Sequence, residues 1–504
     1  MANRTVFASA NVQNHAGGKA FTKSDEEILV QYAMTGTFTD TFYTKGANQL
    51  DKVLDCAGRV SDEFLAKLAI YGRQRGAMKD MPALLTTLLV TRHSQYADTV
   101  FAQVIDNPRM LRNFVQMMRS GAVGRKSLGS KAKRLVKEYI GKLSDYSLWE
   151  ASVGNDPSLV DVMRLSHPKA TDERRNALYA YILGRPVDVA QLPDFIREYE
   201  AFTKGDSKEI PMRAPFQKLT ALPLGTEGWK RIAYNATWTQ TRLNLNTFAR
   251  HGVFERDREM VELIAERLSN RENVLKAKAF PYQLMAAMLN ADDGIPYAIK
   301  NALEQAMEVA LENTPSIEGS TLIAVDVSGS MNDPITGRSG APSKISCMDV
   351  AALVGSALLH RNPTARLVAF DTACHVGEFQ RGQSVMEMCR EFKVFRGGGT
   401  DCGSVLRYMN DNNIVVQNLI VISDNESWAD RYRSNLSGLW AGYKQKHPTA
   451  RMINLDITPN DTSATANRAD TLRVGGFSDE VFQVMSTFLA GGKTQLDAVK
   501  AVTL

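Results

Sequence analysis

The feature that most constrains this chain is a change of hydrophobic period between residues 315 and 321. Upstream, apolar residues recur at three- and four-residue spacing. FLAKLAIYG (64–72), ALLTTLLVTRH (83–93), VFAQVI (100–105), MVELIAERL (260–268) and YQLMAAML (282–289) all read as amphipathic helices. They are joined by short polar connections, SDE at 61–63, DNPR at 106–109 and DERR at 172–175. About 300 residues of successive helices exceed what one bundle core accommodates, and stacked helical pairs of HEAT type bury such helices without one oversized core. Downstream, short apolar runs alternate with helical ones. TLIAVDVS (321–328), ARLVAFD (365–371), NLIVISD (418–424) and ARMINLDIT (450–458) read as strands. CMDVAALVGSALLHR (347–361), QSVMEMCREF (383–392), LSGLWAGYKQKH (436–447) and EVFQVMSTFLA (480–490) read as helices. Such alternation implies a doubly wound parallel sheet, Rossmann-like, whose ligands sit beyond the carboxyl ends of the strands. The expected architecture is multidomain: helical repeats over 1–318, then an α/β domain over 319–504.

Composition narrows the function classes. No run approaches the roughly 18–20 apolar residues of a membrane span, and MANRTVFASANVQNHAGG lacks the apolar core of a signal peptide. The five cysteines are few, odd in number and not in metal-ligand spacing, as for reduced thiols in a cytosol. The expectation is a cytoplasmic protein with no membrane partner. The net charge of +5 is unevenly placed. Residues 321–504 carry 18 basic and 18 acidic side chains, so the excess lies upstream. Segment 109–142 holds ten cationic residues against the single acid Glu138. A local field of that sign suits a polyanion, although a charge run can also be a solvated face.

Three pieces of sequence fall at strand carboxyl ends: Asp326-Val327-Ser328-Gly329-Ser330, Arg396-Gly397-Gly398-Gly399-Thr400-Asp401, and Ser423-Asp424-Asn425-Glu426. The two-residue spacing of Asp326, Ser328 and Ser330 lets all three turn toward one point. With Thr400 and Asp424 they make an all-oxygen set of hydroxyls and two carboxylates, which suits Mg²⁺, and Mn²⁺ or Ca²⁺ less well. The alternative is that these residues are helix caps and turn formers, which Ser, Thr and Asp favour. Catalysis is not expected. The residue two beyond Asp326 is Ser328 rather than a second Asp, and neither His360 nor His375 has a spacing that brings it to Ser328. The arrangement resembles the metal-ion-dependent adhesion site of von Willebrand factor A domains.

Nucleic-acid candidates lie in the helical part. SGAVGRKSLGSKAKRLVKEYIGK (120–142), read as one basic helix, supplies Arg125, Lys126, Lys131, Lys133, Arg134 and Lys137. If 131–140 is helical, Lys131, Arg134 and Lys137 share a face and Lys133 flanks it. Met163-Arg164-Leu165-Ser166-His167-Pro168-Lys169 adds Arg164, His167 and Lys169. WKRIAYNATWTQTRLNLNTFARHG (229–252) and KAKAFPYQL (276–284) mix cations with Trp229, Tyr234, Trp238, Phe248 and Tyr282, which either stack bases or fill the core.

The pieces GRKSLGSKAKR, RLSHPK, LIAVDVSGSM, GGGTDC and ISDNES, in this order, are similar to the Ro autoantigen family, in its bacterial or phage branch. Its helical part is the TROVE module and its last part a von Willebrand A domain. The resemblance covers nearly the whole chain. It implies a monomeric ring of helical repeats closed by the A domain, binding small noncoding Y-like RNA on its outer basic face. It also implies that single-stranded 3′ ends of misfolded RNA enter the cavity and that RNA is handed to polynucleotide phosphorylase, with no chemistry of the protein's own. Residue by residue, the family's R-L-S-H histidine falls on His167, with Arg164 and Lys169 beside it, and its G-R helix on Gly124, Arg125, Lys131 and Arg134. One departure is EASVGNDPSLVD (150–161), acidic where animal members are basic. The competing reading is a metal-dependent protein-adhesion subunit that partners an ATPase, which has no need of the basic segment 109–142.

Overall fold

The computed structural model describes residues 9–504 except 37, 39, 155–156, 278–280, 315, 336, 339–340, 396 and 430–434. A helical N-terminal region is followed by an α/β domain. The chain forms two compact units, one of Met1–Met81, Ala279–Leu289 and Met307–Thr503, the other of Pro82–Lys278 and Asn290–Ala306 with Leu504.

The first unit is built on a six-stranded sheet. Its strands are β1 (Thr321–Asp326), β2 (Ala365–Phe370), β3 (Cys374–His375), β4 (Asn418–Ser423), β5 (Arg451–Asp456) and β6 (Thr471–Gly475). The order is β6-β5-β4-β1-β2-β3, parallel except for the edge strand β3. Every residue of β1 and β4 is buried, as in a sheet covered on both faces. Alternate residues serve the two layers. Leu322, Ala324, Leu419 and Val421 pack with Leu406 and Met409 of helix Ser404–Asp411 and with Trp440 of helix Leu436–Lys446. On the other side lies helix Cys347–Arg361, packed on β1, β2 and β4. Gly355 allows that approach: a Cβ there would stand 2.8 Å from Val325 Cγ2. The chain leaves β1 for β2 on one side and returns to β4 on the other, so the switch point, where ligands bind in such sheets, lies between the ends of β1 and β4.

The N-terminal segment belongs to this same unit. Helices Asp25–Thr35, Gly46–Arg59 and Asp62–Gln74 pack with one another, with β6 and with helix Gln495–Lys500. Strand Lys19–Thr22 pairs with Thr462–Ser463, and Lys23 makes a buried 2.9 Å ion pair with Asp456. Helical period reveals which face of a helix is buried, but not which core buries it.

The second unit is helical. Its helices start where short polar side chains cap free N–H groups: Asn107 accepts from Met110 and Asp172 from Arg175. Ser61 does the same for a helix of the first unit. The polar connections of the sequence are therefore helix N-caps. Among the described residues no helix is long and apolar enough to cross a membrane.

Candidate cation site and nucleic-acid interface

Strand β1 ends at Asp326, whose side chain has no exposure. The Ser328 N–H donates to Asp326 Oδ1 at 2.8 Å, which bends the chain so that Ser328 Oγ and Ser330 Oγ stand 3.4 Å apart. Register places Val325 of β1 opposite Ile422 of β4, so the next residues of the two strands meet. Ser423 Oγ donates to Asp326 Oδ2 at 2.5 Å. Asp424 accepts from the Glu426 N–H at 3.2 Å and lines one pocket with Ser330. The glycine loop is stitched to the same place. Gly397 N–H donates to the Val327 carbonyl at 3.0 Å, and Gly329 N–H to the Gly398 carbonyl at 3.1 Å. Thr400 follows, buried, its carbonyl accepting from the N–H groups of Trp428 and Ala429, both at 2.9 Å. Asp326, Ser328, Ser330, Thr400 and Asp424 thus lie in one buried loop cluster. Arg396 of the sequence motif lies outside the described residues.

The electrostatics of this cluster are unbalanced. Burial raises the Asp326 carboxyl above the usual range, against the opposing hydrogen bonds from Ser423 and Ser328. Burial raises Asp424 as well, and the charge of Asp326 adds to it. Among the described residues neither carboxylate has an ion-pair partner. No group of three or more His, Cys, Asp or Glu side chains suited to a metal occurs there. An ion at this place would rest on two carboxylates and on hydroxyls. Hard, uncharged oxygens beside two uncompensated carboxylates are the donor set that fits Mg²⁺.

Sequence reasoning missed several neighbours. Ser423 holds Asp326 and was legible only as the residue before Asp424. Asp371 lies against Gly398, where a Cβ would come within 2.6 Å of its Oδ2, and its Oδ1 is 2.9 Å from His375 Nε2. His360 Nε2 is 3.0 Å from the Gln383 carbonyl. From the N-terminal segment, Asn14 Nδ2 donates to the Ser427 carbonyl at 2.8 Å, and His15 Nδ1 lies 3.0 Å from Glu426 Oε1. Gly18 sits so close that a Cβ would be 1.8 Å from the Ser427 carbonyl oxygen. Tyr43 lines the same pocket as Ser330 and Asp424. No sequence pattern links these N-terminal residues to strand ends some 300–400 positions away.

The basic segment lies in the second unit. Its helix is Gly129–Lys142, not 120–142. Gly121 and Gly124 have φ of +87° and +77°, left-handed values that break a helix, and Gly121 N–H donates to the Arg125 carbonyl at 2.9 Å. Ala132, Leu135, Val136 and Ile140 are buried. Lys131 donates to the Ser94 carbonyl at 3.1 Å and lies 3.5 Å from Asp98. Arg134 pairs with Asp98 at 2.7 Å and Glu138 at 2.9 Å. Lys133 and Lys137 are exposed, with no ion pair among the described residues. Arg125 reaches His93 Nε2 at 3.1 Å, and Lys126 is exposed.

Helix Leu159–Ser166 packs against both Gly129–Lys142 and Pro108–Arg119. Arg164, His167 and Lys169 are exposed, and Arg164 and Arg119 both act on Asp161. His167 ends its helix in the left-handed region (φ 53°, ψ 62°), with its N–H donating to the Met163 carbonyl at 2.8 Å. The sequence-predicted cations therefore lie on two neighbouring helices and in the segments that flank them. Residues 155–156 of the acidic departure and 278–280 of KAKAFPYQL lie outside the described residues. Of the five aromatics, Trp229, Trp238 and Phe248 are buried and Tyr282 packs on Phe477 at 5.1 Å. Tyr234 is 61% exposed.

Residues 320–489 match the Ro60 vWA domain family. The chain is 24% identical, over 516 aligned positions, to the RNA-binding protein RO60 of Deinococcus radiodurans, covering 95% of each. It is 25% identical over 250 positions to the RNA-binding protein RO60 of Caenorhabditis elegans, 47% of this chain and 38% of that one. The crystal structure of the Deinococcus radiodurans RO (RSR) protein superposes with a TM-score of 0.64 at 20% identity, covering 93% of this chain and 100% of that chain. That superposition is a likeness of fold.

Proposed function

The chain belongs to the Ro protein family, and from that premise we propose that it binds RNA through the helical unit and holds a divalent cation in the α/β unit. The observation that carries the reading is the set of exposed cations on two packed helices, Lys133 and Lys137 on Gly129–Lys142 and Arg164 on Leu159–Ser166, with Lys126, His167 and Lys169 exposed in the segments that flank them. Phosphates of a folded RNA give such a surface its affinity and its salt dependence. In this reading the RNA is a small noncoding, Y-like species on the outer basic face. A cavity of the protein takes 3′ single-stranded ends of misfolded RNA. The monomeric cytoplasmic protein does no chemistry itself and tethers its RNA to a 3′ exoribonuclease such as polynucleotide phosphorylase. Crosslinking RNA to the native protein and sequencing it tests this. Recovery of small structured RNAs is expected, and a preparation free of nucleic acid, with no RNA retained at low salt, would reject it.

The cation in this reading is Mg²⁺, held by Asp326, Ser328, Ser330, Thr400 and Asp424. It would supply the positive charge that the two buried carboxylates lack. A second reading, cation-dependent adhesion to an acidic protein partner, is favoured only by this site and leaves the basic surface without a role.

A further inference from the structure

We propose that the turn Thr41–Thr44 is a built-in lid on the cation site, with Tyr43 closing the side from which an outside carboxylate would reach the ion. The inference rests on the cation reading above and goes beyond it, because it states who can reach the ion. The turn is self-supporting: Thr41 N–H donates to the Thr44 carbonyl at 2.8 Å, and Thr44 N–H to Thr41 Oγ1 at 3.2 Å. Its base is held by the Gly46 N–H donating to Asp40 Oδ1 at 2.9 Å. Tyr43 then lies over the site, half-buried, and lines one pocket with Ser330 and Asp424.

The space that remains decides what can enter. Tyr43, Ser330, Asp333, Cys347, Asp424 and Asn460 are among the residues that bound a cavity of about 20 Å³. That is room for about one water molecule, and not for a carboxylate-bearing side chain. A phenolic hydroxyl can serve as donor to a ligand water or as acceptor. A cation here would keep its own water beneath Tyr43, and an acidic partner would bind only after the turn had moved. The apparent affinity for such a partner is lowered by the fraction of time the turn is closed.

The test uses the full chain with Mn²⁺ as the ion and acetate as the carboxylate. Water-proton relaxation reports how freely bulk water reaches bound Mn²⁺, and titration with acetate reports carboxylate access. In the wild type, bound Mn²⁺ is expected to show low relaxation enhancement and no response to acetate. Tyr43→Ala is expected to raise the enhancement and to bind acetate at least about tenfold more tightly, the gain from removing a closed state. Tyr43→Phe keeps the ring and is expected to exclude acetate as the wild type does. Acetate response in the wild type, or in Tyr43→Phe to the same degree as in Tyr43→Ala, overturns the lid, and the wild-type arm decides this even if Tyr43→Ala does not fold. Absence of Mn²⁺ binding in the wild type is a different result, which removes the cation reading and the lid together.

Discussion

Asp326 and Asp424 are buried together with hydroxyls and backbone N–H groups for company and no cationic side chain. Each has a folded-state pKa above its unfolded one. Between those values the native state holds more protons than the unfolded chain, so stability falls as pH rises from about 4 toward neutrality. The proposed divalent ion would replace those protons and remove the penalty. In chelator the melting temperature is expected to decline over that window, and Mg²⁺ to flatten the decline. Asp326→Asn should abolish the Mg²⁺ effect; equal pH profiles with and without Mg²⁺ in the wild type would show that no ion binds there. On the basic helix, residue-level placement changes which lysines matter. Lys131 and Arg134 are spent on Ser94, Asp98 and Glu138, whereas Lys133 and Lys137 are exposed. Replacing Lys133 and Lys137 with Gln should reduce the log–log salt dependence of RNA binding by about 0.7–0.9 for each lost phosphate contact. Lys131→Gln should leave that slope unchanged and lower thermal stability instead. Filter binding across a salt series separates the two, and a flat response to the Lys133/Lys137 pair would reduce this face to solvated surface.

Elements were legible where local chemistry fixes them. Helix Cys347–Arg361 begins at the capping box of Ser346 and Asp349, and its apolar run ends at the polar Arg361-Asn362. Strands β1 and β4 announce themselves by short apolar runs, LIAV and LIVI, between polar ends. What escaped depends on partners distant in sequence. Strand β6, TLRVG, is too short and too polar at Arg473 to stand out, and it forms because β5 offers a free edge. The stretch 120–128 was read as part of the basic helix for its cations, but Gly121, Gly124 and Gly129 take left-handed angles, which glycine permits. The oxygens proposed as ligands, Asp326, Ser328 and Ser330, were readable as a group because two-residue spacing at a strand end is local, whereas Tyr43 and Ser423 come near them through tertiary packing. Gly355 tests the layer geometry. A valine there would drive its side chain into Val325 and Leu367, and overpacking of this kind costs about 1–3 kcal/mol. Gly355→Val should lower the unfolding free energy by that amount, read as a lower denaturant midpoint at unchanged slope, and an unchanged midpoint would mean that the helix does not seat so closely on the sheet.

At the scale of the whole molecule, two chemistries are assigned to two compact units: cation-holding oxygens to the unit of β1 and β4, and the phosphate-binding cations to the helical unit. Their energetics should separate. Asp326→Ala is expected to weaken Mg²⁺ binding in a calorimetric titration and leave RNA affinity unchanged, and the Lys133/Lys137 pair to do the reverse. The RNA itself should also be divided. Exposed cations on packed helices contact phosphates whether or not bases are paired, so they suit a folded RNA. A cavity lined by cations and aromatic rings suits a single strand, because stacking on a ring needs an unpaired base and a duplex offers none. If the proposed cavity is of this kind, a duplex with a 3′ single-stranded tail engages both places and a blunt duplex only one. Linking two contacts in one ligand raises affinity by effective concentration, so the tailed duplex should bind more tightly than the blunt one by well over the sum of small differences. His167→Ser should weaken a small structured RNA while sparing a free single strand, since His167 sits exposed among Arg164 and Lys169 on the helical surface. Filter binding of tailed duplex, blunt duplex and structured RNA to wild type and His167→Ser reads out both effects. Equal affinity for the tailed and blunt duplexes would reject the cavity, whatever the His167 variant does, and would leave the basic helices as a single site for paired RNA.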